Sequence, residues 1–172
     1  FVNEALEFIN KLKEENNNKE VVSVHLRRGD LTDGTNDISN NYYGKNGELS
    51  DDSICGNYLN KALSHFDDDK YIFLLFTGGS REGDDNNKDV SWLKDNLKGS
   101  NFFYSGIKTT LEDFALIKEC DHNIMSHSSS FGWWAAYLNS NPNKKVIAPK
   151  DYSMEPDSWN REGFYPDNFI LI

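Results

Sequence analysis

The chain has 172 residues, with 18 Lys and Arg against 28 Asp and Glu, a formal net charge of −10. That length suits one sizeable domain or one lobe of a two-lobed enzyme, and the acidity argues against a nucleic-acid binder, whose footprint is a basic patch. Two cysteines, Cys55 and Cys120, are too few for a disulfide framework or a cysteine zinc site, although they could pair with each other; no apolar run approaches the ~18 residues of a membrane span.

Along the chain, Val2, Ala5, Leu6, Ile9 and Leu12 fall on one face of a helix predicted over Val2 to Glu15, which the Asn16 to Asn18 run ends. Val21 to Leu26 reads as a β-branched strand, and Gly29 to about Asp52 as a long polar loop. A helix over Asn57 to Phe66 and a buried strand over Tyr71 to Phe76 follow. The Asn-rich Asp84 to Lys88 reads as a surface loop, Val90 to Leu97 as a short helix and Asn101 to Tyr104 as a strand. Leu111 to Cys120 is a helix with Thr109 or Thr110 as N-cap. His122 to Met125 is a strand, Phe131 to Asn139 a helix, Lys145 to Ala148 a strand and Phe169 to Ile172 a closing extended segment. Strands separated by helices make βαβ units, so the expected class is α/β: a Rossmann-like parallel sheet with helices on both faces.

In such sheets ligands collect at the carboxyl ends of the strands, and polar clusters follow the strands here. The first is His25, Arg27, Arg28, Gly29 and Asp30. Guanidinium groups bind phosphate oxygens in bidentate, charge-assisted pairs. Alternation along a strand separates Arg27 from Arg28; Arg27 is assigned to a ligand, whereas Arg28 either reaches a ligand or pairs with Asp30. The second cluster is SHSSSFGWW, Ser126 to Trp134. Its small residues feed a helix N-terminus, where backbone N–H groups suit a phosphate, but Ser128, Ser129 or Ser130 could equally be a simple cap. Trp133 and Trp134 read as core. The third is TLED, where Asp113 either serves the helix dipole or accepts from a guanine. Asp67 to Asp69 and Thr77 to Gly79 read as turns, and His65 and His122 lack metal-ligand spacing.

These residues resemble the α-1,2-fucosyltransferase family. HLRRGD at His25 to Asp30 resembles its H-x-R-R-G-D signature, and DVSWLKDNL (Asp89 to Leu97), DFALIKECDHNIMSHSSSFGWWAAYLN (Asp113 to Asn139), KKVIAPKDY (Lys144 to Tyr152) and the closing YPDNFILI follow in the family's order. The resemblance covers nearly the whole chain. It implies a GT-B enzyme that moves L-fucose from GDP-fucose to an acceptor sugar, O2 of a galactoside, with inversion and without an essential metal. It further implies that Arg27 holds the β-phosphate, His25 lies against the nucleotide, Asp113 contacts guanine, and Ser129, Ser130 and Phe131, with Ser128 before them, contact the diphosphate. Arg28 is carried over as a nucleotide contact and Asp30 as the candidate base by position. Leu31 stands where the family often has tyrosine, Ser128 where asparagine commonly precedes the S-S-F, and the stretch from Arg81 to Lys88 is longer than the family's.

On this reading residues 1–172 are a single donor-binding lobe, with the acceptor-binding N-terminal lobe absent and isolated activity weak or nil. The expected partners are GDP-fucose and a galactoside-terminated glycan, with no nucleic acid; a peripheral association with membrane or lipid-linked glycan is compatible. The expected location is cytoplasmic or membrane-associated in a bacterium, or the Golgi lumen in a eukaryote. The competing readings are a non-catalytic GDP-sugar-binding module and a Rossmann-like interaction domain whose polar loops are only caps.

Overall fold

Strands and helices alternate through the residues that the structure, a computed structural model, describes: 1–29, 42–43, 49–78, 84–106, 109–152 and 163–172, without the side chains of 84–87. Asp30, Leu31, Gly79 and Arg81 lie outside them. The elements are α1 (Val2–Glu15), β1 (Glu20–Arg27), α2 (Ile54–Leu63), β2 (Tyr71–Gly78), α3 (Asp84–Asn96), β3 (Phe102–Tyr104), α4 (Thr110–Glu119), β4 (His122–Ile124), α5 (Ser130–Leu138), β5 (Val146–Ala148) and β6 (Phe169–Leu171).

The strands form one sheet in the order β3-β2-β1-β4-β5-β6, every pair parallel. This is the expected Rossmann-like fold. From β1 the chain builds outward through β2 to β3, then crosses back and builds outward on the other side from β4. The order reverses between β1 and β4, so their carboxyl ends open the crevice where such sheets take ligands.

Alternation along β1 divides the core. Val22, Val24 and Leu26 pack with Cys55, Tyr58 and Leu59 of α2 and Leu93 of α3. Val21, on the other face, packs with Ala5, Ile9 and Leu12 of α1 and Ala115 to Ile117 of α4. Both faces are covered, as parallel strands with crossover helices require. The two cysteines are therefore not a pair: Cys55 lies in the first cluster and Cys120 in the second, and both are free. Burial pushes the Cys55 thiol up to about 12 and Cys120 well above its ordinary value, so neither is a poised nucleophile.

Several boundaries differ from the sequence reading. Helix α2 starts at Ile54 because Ser53 caps it, accepting from the Gly56 N–H at 3.0 Å, and it ends at Leu63, short of the expected Phe66. The Asn-rich Asp84 to Lys88 is helical, not loop: once Val90, Leu93 and Leu97 bury one side, extending the helix costs far less than nucleating it. Thr77 and Gly78 continue β2 instead of turning. Trp134 is 51% exposed, although its neighbour Trp133 packs against Phe164 and Phe169; Ala135 and Ala136, not Trp134, take the inward positions.

Candidate functional site

The carboxyl end of β1 sends its side chains in two directions. His25 goes to the side of α5. Its ring is buried, lies 5.6 Å from the Phe131 ring, and approaches Gly132 so closely that a β-carbon there would stand 2.8 Å from Nδ1. Burial, and secondarily the Arg27 charge, hold its pKa at about 4, so the imidazole is neutral at physiological pH. Its Nδ1 is buried and has no hydrogen-bond partner among the described residues.

Arg27 follows at the half-buried rim with its backbone fixed on both sides. Its N–H donates to Ser126 Oγ at 3.0 Å, and its carbonyl accepts from the Tyr43 hydroxyl. Its guanidinium Nη1 donates to the carbonyl of Ser128, in the loop that feeds α5. Arg28 turns to the opposite face. Nε donates to Asp89 Oδ1 at 3.1 Å, and Cζ lies 3.7 Å over the Trp92 ring and 4.8 Å from that of Tyr43. Asp89 Oδ2 accepts from the Gly29 N–H at 3.1 Å, where the chain turns with φ +35. Burial lowers the Arg28 pKa, opposed by Tyr43 and Asp89. One of its nitrogens, Nη1, is buried without a partner among the described residues.

Residues 125–129 are anchored one after another. The Met125 carbonyl accepts from Tyr58 OH at 2.8 Å, Ser126 holds Arg27, and His127 Nδ1 is 2.9 Å from Tyr42 OH. Ser128 adopts the left-handed conformation, φ +49, and both its N–H and its hydroxyl donate to the Tyr152 carbonyl, at 2.6 and 3.2 Å. Tyr152 itself is near enough to Arg27 for the guanidinium to oppose the rise that burial imposes on its phenol. Ser129 caps α5, accepting from the Gly132 N–H at 3.2 Å. The first helical N–H groups, those of Ser130 and Phe131, have no acceptor within the helix. A neutral imidazole, a guanidinium and the positive end of α5 thus meet where β1 and β4 diverge, an arrangement suited to a phosphate or diphosphate.

Asp113 occupies the same edge of the sheet farther along, beyond β3. Thr109 caps α4 with a capping box to Glu112, and Asp113 follows in the first turn, partly buried. Burial and the Asp113 carboxylate push the Tyr104 phenol, at the end of β3, up to about 12. Of the residues singled out from sequence, His25, Arg27, Ser128, Ser129, Ser130 and Phe131 come together; Arg28 is on the other face of the strand, and Asp30 is outside the described residues. Ser126, Tyr43, Asp89, Gly132 and Tyr152 were not assigned. The signal available was that Asp89, Ser126, Gly132 and Tyr152 sit in stretches already singled out as motifs. Among the described residues no cluster of three or more His, Cys, Asp or Glu could hold a metal ion, and no helix is long and apolar enough to cross a membrane.

The profile of Glycosyl transferase family 11 matches residues 1–171. Over 155 residues the chain is 24% identical to the O-antigen biosynthesis glycosyltransferase WbnK of Escherichia coli, covering 83% of this chain and 44% of that protein. It is 29% identical over 158 residues to galactoside alpha-(1,2)-fucosyltransferase 2 of Rattus norvegicus (87% of this chain, 37% of that one). It is 32% identical over 124 residues to galactoside alpha-(1,2)-fucosyltransferase 1 of the same species (68% and 27%). The chain thus spans less than half the length of these curated relatives. No solved structure matches.

Proposed function

The chain belongs to glycosyl transferase family 11, and from that membership we propose that the protein transfers L-fucose from GDP-fucose to O2 of a terminal galactose, with inversion and without an essential metal. Two of the relatives supply the chemistry by name, as galactoside alpha-(1,2)-fucosyltransferases. Residues 1–172 act in this reading as the donor-binding lobe, and a glycan acceptor approaches from outside it.

The observation that carries the proposal is the meeting of Arg27 with the loop feeding α5, through the bond from its guanidinium to the Ser128 carbonyl. As the bond to fucose breaks, negative charge accumulates on the β-phosphate of GDP. Donors already aimed there interact more strongly with the transition state than with the bound donor sugar, and that difference accelerates the reaction. Arg27 takes the β-phosphate, the N–H groups of Ser130 and Phe131 take neighbouring oxygens, and Ser128 and Ser129 shape the loop. His25, neutral and with an Nδ1 that has no partner among the described residues, lies against the nucleotide without adding a second full charge. Arg28, held by Asp89 on the opposite face of the strand, acts in this reading by fixing the turn and not as a nucleotide contact, and Asp113 receives the guanine. Inversion calls for a base on the acceptor hydroxyl; Asp30, next after Gly29, is the candidate by position.

The test is turnover by the full-length gene product with GDP-fucose and a β-galactoside acceptor, the linkage read by NMR. An α-linked fucose on O2 is the expected product. A folded protein that binds GDP but transfers no fucose, or that takes another nucleotide sugar in preference, contradicts the proposal.

A further inference from the structure

We propose that Asp89 is a positioning residue for Arg27, and that through it the site distinguishes a nucleoside diphosphate from a monophosphate. This rests on the reading of Arg27 as the β-phosphate ligand. Asp89 is 2% exposed and sits on α3, across the strand from the crevice. Its two oxygens grip the two residues after Arg27: Oδ1 takes Arg28 Nε and Oδ2 takes the Gly29 N–H, each at 3.1 Å. The Arg28 guanidinium then lies over the Trp92 ring, its Cζ 3.7 Å from the centroid.

A buried ion pair of this kind contributes little net stability, because desolvating both charges offsets their attraction. What this one supplies is geometry. The backbone of Arg27 is already fixed on one side by Ser126 and on the other by Tyr43; Asp89 fixes the turn immediately beyond. Without it, the turn at Gly29, φ +35, loses one restraint at a residue type with a wide conformational range. The end of β1 then loses the constraint that aims the Arg27 side chain at the loop before α5. A guanidinium displaced by about 1 Å is a much poorer partner for one particular phosphate. GMP lacks the β-phosphate, so its binding is indifferent to that displacement.

The experiment is calorimetric titration of the protein with GDP and with GMP, for wild type, Asp89→Asn, Arg27→Ala and the double variant. Asp89→Asn is expected to weaken GDP binding by about tenfold or more, the scale of one charge-assisted hydrogen bond, and GMP binding by less than about threefold. In the Arg27→Ala background the same change is expected to have no further effect on GDP. Loss of folding would weaken both nucleotides alike; should Asp89→Asn fail to fold, Arg28→Lys, which keeps the charge but not the planar stacked fork, is expected to lower the GDP-to-GMP ratio in the same direction. A wild-type ratio in whichever variant folds overturns this inference alone. A wild-type protein that binds GDP no better than GMP overturns the diphosphate reading and this inference with it.

Discussion

A single hydrogen atom on Gly132 is what leaves room for His25: a β-carbon there would stand 2.8 Å from Nδ1 of the imidazole. The ring is buried and backed by Phe131, so it has little freedom to retreat. Gly132→Ala would gain up to about 1 kcal/mol of helix propensity, against an overpacking cost of about 1–3 kcal/mol. The expected outcome is net destabilisation together with weaker GDP binding, measured by urea denaturation and calorimetry. An alanine variant as stable as wild type, with unchanged affinity, would show that the ring gives way freely.

Ser128 explains one departure from the family's pattern. At φ +49 its backbone occupies a region where asparagine is enriched and β-branched residues are strained, so asparagine, common at this place in the family, suits the same turn. Ser128→Asn and Ser128→Gly should keep GDP affinity within a few-fold, because the N–H bond to Tyr152 and the carbonyl offered to Arg27 are backbone groups. Ser128→Val should cost about 1–3 kcal/mol and weaken GDP. Equal behaviour of all three variants in thermal and binding assays would refute this account of the loop.

The protonation of His25 sets a pH dependence with a definite sign. Its folded pKa, about 4, is below the ordinary histidine value of 6.5, so the unfolded chain binds the proton more readily. Stability from this residue is complete above about pH 6.5 and is lost progressively as the pH falls towards 4, by an amount on the order of 3 kcal/mol. Denaturation curves between neutral pH and pH 4 for wild type and His25→Gln isolate the contribution. The wild-type curve should fall more steeply; parallel curves would contradict the assignment.

Metal removal is a direct check on the proposed catalysis. Arg27 and the start of α5 carry the charge of the departing diphosphate in this account, so excess EDTA should leave turnover of the full-length protein within about twofold. Abolition by EDTA and recovery with a divalent cation would transfer that task to a metal.

The fold and half of the site were legible in short-range pattern. Alternation in VVSVHLRR separated Arg27 from Arg28, and the small-residue run after His127 marked the start of a helix; both depend on neighbours in sequence. What escaped depends on pairs brought together only by the sheet. Sequence offered Arg28 a ligand or Asp30, two residues away; its partner among the described residues is Asp89, 61 positions distant and on a crossover helix. Likewise nothing local says that Cys55 and Cys120 lie on opposite faces, or that Tyr152, after β5, is held against Ser128. The Asn-rich opening of α3 was misread because propensity favours a loop, while the apolar face of the same helix decides otherwise.

The central claim is that the Arg27 guanidinium stabilises the charge arriving on the β-phosphate, and the most direct measurement is kcat for fucosyl transfer by Arg27→Ala in the full-length protein. Removing one such donor is typically worth about 3–4 kcal/mol, so turnover should fall by roughly two to three orders of magnitude while the variant remains folded. A folded variant with kcat within about threefold of wild type, a difference of less than about 1 kcal/mol, would contradict the account.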